Sequence, residues 1–314
     1  MITDNKKINI LFLGGAKRVS IAKDFIRAGN TLGYNVSIFS YELNENCPIA
    51  FIGKVIKGHK WNDDSIIEHL SGIIEEYKID ILLPFVDQAT IIASKLREIL
   101  QQKKIFIPVS DIDSCTTFFN KRLSNEWCIA NGIAVPIFDK NIFPLIAKPI
   151  EGSASKGIVI INNEVELTNL QNPQNFLVQK FIKGNEYTID IYRNTRTNNI
   201  LSIVPRKRIE TQGGESIKSV TLKNKRIEDF AKNIILKTNL IGPLTLQILE
   251  DEQNNLFFME INPRFGGAVL NSIAAGADSP MYLLRDFLNL PEISLKWKDS
   301  FMMIRYFKEY YKPI

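Results

Sequence analysis

Histidine is almost missing from this chain: 314 residues contain only His59 and His69. Cysteine is scarce and odd in number, and Cys47, Cys115 and Cys128 show no C-x-x-C spacing. A disulfide framework is therefore not indicated, and the cysteines fit a reduced, cytoplasmic protein. Catalysis by a thiol needs an adjacent base. The two histidines lie in or near one helix-like stretch that reads as ordinary surface. No apolar run is long enough to span a bilayer, and the polar start Met1-Ile-Thr-Asp-Asn-Lys-Lys lacks the layout of a signal peptide. Long basic runs, zinc-finger spacing and RNP-like aromatic motifs are also missing, so neither a nucleic-acid nor a membrane partner is expected. The net charge of +5 comes from 39 basic and 34 acidic residues interspersed along the chain. Mild basicity suits anionic ligands, and a lysine-rich solvated surface accounts for it equally.

What is present is enough apolar residue, 45%, to bury a sizeable core, and the length makes more than one domain the default. The first third alternates strand and helix. Strands are expected at Ile8–Leu13, Val36–Phe39, Ile79–Leu83 and Lys104–Ile107, with helices from Lys17 to about Leu32, over Asp63–Tyr77 and over Gln88–Leu100. Such alternation with short connections predicts a parallel, doubly wound sheet over roughly residues 1–110. One helix is expected over Asp111–Asn131, with Asp111 as its cap. Closely spaced strands then follow at Pro144–Lys148, Gly157–Ile161, Phe176–Ile182, Glu186–Arg193 and Ile200–Arg208, which predicts antiparallel pairing. A helix near Lys225–Thr238, strands at Leu244–Leu249 and Leu256–Ile261, and helices at Ala268–Ala275 and Met281–Leu288 complete the pattern. A last, largely apolar run covers Phe301–Phe307.

Four segments carry chemistry. Glu260 and Asn262 stand two apart on a strand and so project together. With Gln247 on a neighbouring strand they form an oxygen-donor set suited to a hard cation. Arg264 follows where the strand ends, placed to meet phosphate or acyl oxygens. The same pattern also describes a plain strand end turning at Pro263. Second, Lys148 closes a strand ahead of the small-residue loop Gly152-Ser-Ala-Ser-Lys-Gly157. Such a loop can wrap phosphates with backbone N–H groups and hydroxyls, or be a surface hairpin. It is neither a Walker A loop nor a G-x-G-x-x-G fingerprint. Third, Val178-Gln-Lys-Phe181 runs into Gly184-Asn-Glu186, an apolar strand able to offer its backbone to an adenine edge. Fourth, Arg206 and Arg208 share a strand face ahead of Gly213-Gly214-Glu215 and make a clamp for phosphate or carboxylate, or a solvated face. Asp87 and the Gly14–Arg18 turn end strands of the N-terminal sheet, as cleft residues or as ordinary caps.

In this order the four segments resemble the ATP-grasp superfamily, most strongly at Phe258-Met-Glu-Ile-Asn-Pro-Arg-Phe-Gly-Gly267. The nearest branch is similar to stand-alone relatives of the carbamoyl phosphate synthase large subunit. The resemblance implies an α/β and α+β protein. Its Rossmann-like pre-ATP-grasp domain covers 1–110 and a two-lobed ATP-grasp domain 111–290 (small lobe about 111–182, large lobe about 183–290). An extension, 291–314, packs on the latter. It further implies ATP with Mg²⁺ or Mn²⁺. Lys121 and Lys148 would be the ATP lysines, and Gly152, Ser153, Ser155 and Gly157 part of the phosphate lid. Gln179, Lys180, Phe181 and Ile182 would form the adenine-reading hinge, with Glu186 on the ribose. Gln247, Glu260 and Asn262 would hold metal, Arg264 would face the transferred phosphoryl group or acyl phosphate, and Arg206 and Arg208 fall where related ligases bind substrate or phosphate. Many relatives carry Asp or Glu where Gln247 stands. The chain also holds one such half and no glutaminase, unlike carbamoyl phosphate synthase itself.

The activity implied is a carboxylate–amine ligase: ATP activates a small-molecule carboxylate as an acyl phosphate, and an amine displaces phosphate. No side-chain nucleophile is needed. Two other readings remain open: one piece of a split carbamoyl-phosphate-synthase-like enzyme using bicarbonate, and a non-catalytic ATP-binding sensor or scaffold. A homodimer is the candidate assembly.

Overall fold

A computed structural model describes residues 6–152 and 156–311. The chain opens with β1 (Lys6–Leu13), α1 (Val19–Thr31), β2 (Tyr34–Glu42), β3 (Lys54–Lys57), α2 (Ile66–Glu76), β4 (Ile81–Pro84) and α3 (Asp87–Ile99). Its four strands form a parallel sheet in the order β3-β2-β1-β4. Both faces are covered, as parallel strands require. Ile8, Ile10 and Phe12 pack toward α1, while Leu11 and Leu13 pack toward α2 and α3. The expected strand at Lys104–Ile107 is only a single bridge, Phe106 to Ile81. The fourth strand is instead the short β3, whose Lys-Val-Ile-Lys carries too few apolar residues to announce itself.

Next come α4 (Ile112–Phe119) and α5 (Lys121–Ala130). One continuous helix was expected here. Asp111 does cap α4, accepting from the Ser114 amide at 2.8 Å. Asn120 then breaks the helix and caps a new one, accepting from the Arg122 and Leu123 amides at 3.0 and 3.2 Å. A short amide side chain competes well for backbone N–H groups. The break puts Lys121 at the positive end of α5, where an anion would relieve it.

A three-stranded antiparallel sheet follows, ordered β6-β5-β7, from β5 (Leu145–Pro149), β6 (Val159–Ile161) and β7 (Phe176–Lys180), with the short α6 (Glu164–Thr168). The largest sheet uses β8 (Gly184–Arg193), β9 (Ile200–Gln212), β10 (Glu215–Thr221), β11 (Gly242–Asp251), β12 (Leu256–Asn262) and β13 (Met302–Ile304), in the order β12-β11-β8-β9-β10-β13. The helices α7 (Lys225–Leu236), α8 (Leu270–Ala275) and α9 (Ser279–Phe287) flank it. Every pairing in this sheet is antiparallel, as expected. The apolar C-terminal run supplies β13, which pairs with β10. Strand β10 went unexpected because Glu215-Ser-Ile-Lys-Ser-Val-Thr is mostly polar. It follows Gly213 and Gly214, at φ +56° and +78°, the pair of positive angles that a tight two-residue hairpin needs.

Alternation divides the large sheet. Ile189, Ile191, Leu246, Ile248 and Ile261 point into a core shared with α7. The intervening side chains point the other way, and Thr188, Asp190, Thr245, Gln247, Glu260 and Asn262 make that face largely polar.

Candidate active site

Strand register assembles that polar face. Glu260 on β12 pairs with Gln247 on β11, Gln247 with Thr188 on β8, and Thr188 with Arg206 on β9. One row across four strands therefore carries carboxylate, amide, hydroxyl and guanidinium. The next row on this face holds Asn262, Thr245 and Asp190. Adjacent strands lie about 4.8 Å apart, so these groups reach one another. Asn262 Nδ2 donates to Glu260 Oε1 at 3.1 Å, and Arg264 Nη2 donates to Asn262 Oδ1 at 3.3 Å. A bulge beside Gln247 inserts Met259 into β12, re-aiming that side chain.

Ion pairs fix the cations. Arg206, buried to 1% exposure, donates Nε and Nη2 to Asp190 at 2.6 and 3.1 Å. Asp190 also accepts from the Ser272 hydroxyl at 2.5 Å. Arg208 pairs with Glu186 and donates to the Gly214 carbonyl at 2.8 Å. Arg264 Nε reaches Asp87 Oδ1 at 2.6 Å, from the start of α3. Glu215 bridges Arg18 and Arg305 at 3.0 and 2.8 Å. Burial pushes the Glu215 carboxyl upward, but the two guanidinium groups outweigh it and hold it below the usual range. Burial raises the Glu186 carboxyl despite Arg208. A Cβ on Gly267 would stand 2.5 Å from the Glu215 carboxylate, so glycine there leaves the bridge its room.

Lys148, next to last on β5, is nearly buried, its Nζ 3.5 Å from Gln179 Oε1. Burial lowers its pKa, and Glu260 and Glu186 oppose that fall. Lys121 Nζ donates to the Gly152 carbonyl at 2.8 Å.

Two cavities meet over this face. The larger, about 690 Å³, lies between the three-stranded sheet and the large sheet. One end is apolar, with Phe181, Ile182, Leu249 and Met259, and the other carries Lys121, Lys148, Arg208, Glu186 and Glu260. The smaller, about 230 Å³, reaches to the N-terminal sheet past Asp87, Arg18, Glu215, Arg206, Asn262 and Arg264. Glu260, Gln247, Arg208, Lys121 and Gly152 line both, so the cavities share a wall.

Most of the expected site residues thus stand together: Lys121, Lys148, Gly152, Lys180, Phe181, Ile182, Glu186, Arg208, Gln247 and Glu260 line the larger cavity, and Arg206, Asn262 and Arg264 the smaller. Ser153 and Ser155 lie outside the described residues. Gly157 is described, at φ +73°, but does not line either cavity. Gln179 is buried, its backbone pairs with Ile146, and its side chain donates to Asn125 at 2.8 Å beside Lys148; it does not line either cavity. In the Gly14–Arg18 turn the Gly14 amide donates to the Tyr41 carbonyl and the Arg18 amide to the Gly15 carbonyl, with the Glu42 carboxylate near the Gly15 and Ala16 amides. Thr188, Thr245 and Met259 carried no readable signal. Only the register and the bulge place them here. Among the described residues no three or more His, Cys, Asp or Glu side chains cluster for a metal, and no helix is long and apolar enough to cross a membrane.

Residues 172–309 match the family described as "ATP-grasp in the biosynthetic pathway with Ter operon". An alignment of 169 positions that covers 48% of the chain shows 29% identity to D-alanine–D-alanine ligase of Petrotoga mobilis. The match spans about half, 55%, of that relative. The fold is similar to N5-carboxyaminoimidazole synthetase of Staphylococcus aureus complexed with ADP (TM-score 0.73, 18% identity, 93% of this chain and 80% of that one). It is also similar to the biotin carboxylase domain of the Hydrogenobacter thermophilus 2-oxoglutarate carboxylase, in complex with MgADP and bicarbonate (0.71, 16%, 92% and 72%). L-amino acid ligase of Bacillus licheniformis is a third (0.68, 17%, 92% and 75%). These likenesses bear out the resemblance read from the sequence: the chain has the ATP-grasp fold.

Proposed function

Taking the ATP-grasp fold as the premise, we propose that this chain is an ATP-dependent carboxylate–amine ligase, with nucleotide in the larger cavity and the carboxylate and amine in the smaller. The observation that carries this is the shared wall. Glu260, Gln247, Arg208 and Lys121 border both cavities, so the end of a triphosphate and a small acid would meet there. In this reading the first 110 residues form the pre-ATP-grasp domain. Residues 111–182 and 183–290 are the two lobes around the nucleotide, and 291–314 is the extension that supplies β13.

The apolar end, with Lys180, Phe181 and Ile182, takes the base, and Glu186 takes the ribose. Lys148 and Lys121 bind phosphates, with Gly152, Ser153, Ser155 and Gly157 in the lid. A phosphate beside Lys148 would restore the charge that burial disfavours. Gln247, Glu260 and Asn262 offer one carboxylate and two amide oxygens. That set fits Mg²⁺ or Mn²⁺ sharing its remaining sites with phosphate and water, the usual habit of a hard, reluctantly dehydrated ion. When bound, the ion supplies charge neutralisation at the β- and γ-phosphates.

The substrate carboxylate oxygen attacks the γ-phosphorus, the bond to the ADP oxygen breaks, and an acyl phosphate forms. Lys148 and Arg264 balance the charge spread over the transferring group. Asp87 holds Arg264 in place from the N-terminal sheet. The amine then attacks the acyl carbon, loses a proton and expels phosphate. Substrates filling the two abutting cavities would displace water that could otherwise hydrolyse the acyl phosphate.

ATP-dependent phosphate release against panels of carboxylates and amines tests the proposal. Stimulation by an acid–amine pair, lost in Glu260→Gln, is the expected result. A strict need for bicarbonate would point instead to the carbamoyl-phosphate-like reading, and nucleotide binding without turnover to a sensor.

A further inference from the structure

We infer that the acid this site activates carries a second anionic group, seated at the far end of the smaller cavity on Arg206 and Arg18. The inference rests on the ligase reading for which end of the cavity faces ATP.

The far end is the part that the larger cavity does not share. Asp87, Arg264, Arg18, Glu215 and Arg206 define it. Its carboxylates are already spent: Asp87 on Arg264, and Glu215 on both Arg18 and Arg305. An ammonium group entering there would find no carboxylate free of a guanidinium. The cations are less fully used. Arg206 gives Nε and Nη2 to Asp190, but its Nη1 is buried without a partner among the described residues. Arg18 engages Glu215 through Nη2 alone. A buried guanidinium with an unused donor in a cavity wall calls for an acceptor, and an anion is the strongest one. The planar fork suits a carboxylate in particular.

Length points the same way. Arg206 and Glu260 occupy one cross-sheet row with β8 and β11 between them. Three inter-strand spacings amount to about 14 Å between Cα atoms. The Arg206 and Glu260 side chains reach inward and shorten the gap a ligand must bridge, so an acid that reacts beside Glu260 and is held at Arg206 needs a second anionic group that bicarbonate lacks. The cavity of about 230 Å³, room for about eight waters, limits the acid to a small one. A short dicarboxylate, with or without an α-amino group, satisfies both bounds.

The test measures binding apart from turnover. Calorimetric titration of the full chain with Mg²⁺ and a non-hydrolysable ATP analogue would compare glutarate and glutamate with butyrate and alanine. Dicarboxylates should bind at least tenfold tighter, and Arg18→Gln should erase that preference while leaving analogue affinity unchanged. Because Arg206→Met leaves Asp190 buried and unpaired, Arg206→Lys serves as the second variant and should weaken only the dicarboxylates. Equal affinity for mono- and dicarboxylates, or a preference that survives Arg18→Gln, overturns the inference. Phosphate-release assays on the same acids separate it from the ligase reading. Turnover with monocarboxylates and no dicarboxylate preference leaves the ligase standing without this subsite. Selective dicarboxylate binding without turnover in any combination leaves the subsite without the ligase.

Discussion

Cutting the Arg206–Asp190 pair separates what holds the site together from what it does. Both side chains are almost fully buried, at 1% and 6% exposure. The pair has two hydrogen bonds, and Ser272 adds a third to Asp190. Asp190→Ala strands a guanidinium in the interior, which costs about 3–5 kcal/mol, whereas replacing a whole buried pair by apolar groups is often neutral. Denaturant unfolding followed by circular dichroism should therefore show Asp190→Ala destabilised by about 3–5 kcal/mol. In Asp190→Leu/Arg206→Met most of that loss should return. The coupling between the two positions should be correspondingly large, since they touch. The double variant should bind the nucleotide analogue normally and lose the dicarboxylate preference. A cost below about 1 kcal/mol for Asp190→Ala, the range of an exposed pair, would refute the claim that this ion pair is a dry anchor. So would a double variant no more stable than the single one.

Lys148→Met removes a charged donor from the phosphate end, so its ATP affinity should fall about 10- to 150-fold, the equivalent of about 1.5–3 kcal/mol. Calorimetry showing unchanged affinity would remove Lys148 from the nucleotide site. Glu186 is held protonated to higher pH than an ordinary glutamate, chiefly by burial. The folded state then binds more protons than the unfolded one, so this group's contribution to stability falls as pH rises from its ordinary value through its folded value. Glu186→Gln should flatten the unfolding free energy over that window, and an unchanged slope would contradict the assignment. Cys115 and Cys128 are pushed up to about 12 by burial, so both stay thiols at neutral pH and react slowly. Native thiol titration should detect Cys47 at most, and all three after denaturation, with alkylated native protein keeping its activity.

Much of the site was legible because its chemistry is local in the chain. Glu260, Asn262 and Arg264 lie within five positions, and strand periodicity alone puts the first two on one face. Lys148 beside a glycine loop, and Arg206 with Arg208, are equally short patterns. Asn120 hid a helix break because asparagine is tolerated inside helices as well as at their caps. Met259 entered the larger cavity through a bulge, and a one-residue slip of register has no signature in hydrophobic alternation.

By itself, then, the sequence determined which residue types the site contains and which strands carry them, since both follow from short-range spacing. Tertiary structure alone decided which charges are spent and which remain for a ligand. Arg18 finds Glu215 across 197 positions, Arg264 finds Asp87 across 177, and Arg206 finds Asp190 across a hairpin whose register no local rule sets. Coulomb attraction falls with distance in space, and only the folded chain brings these charges close enough to neutralise one another.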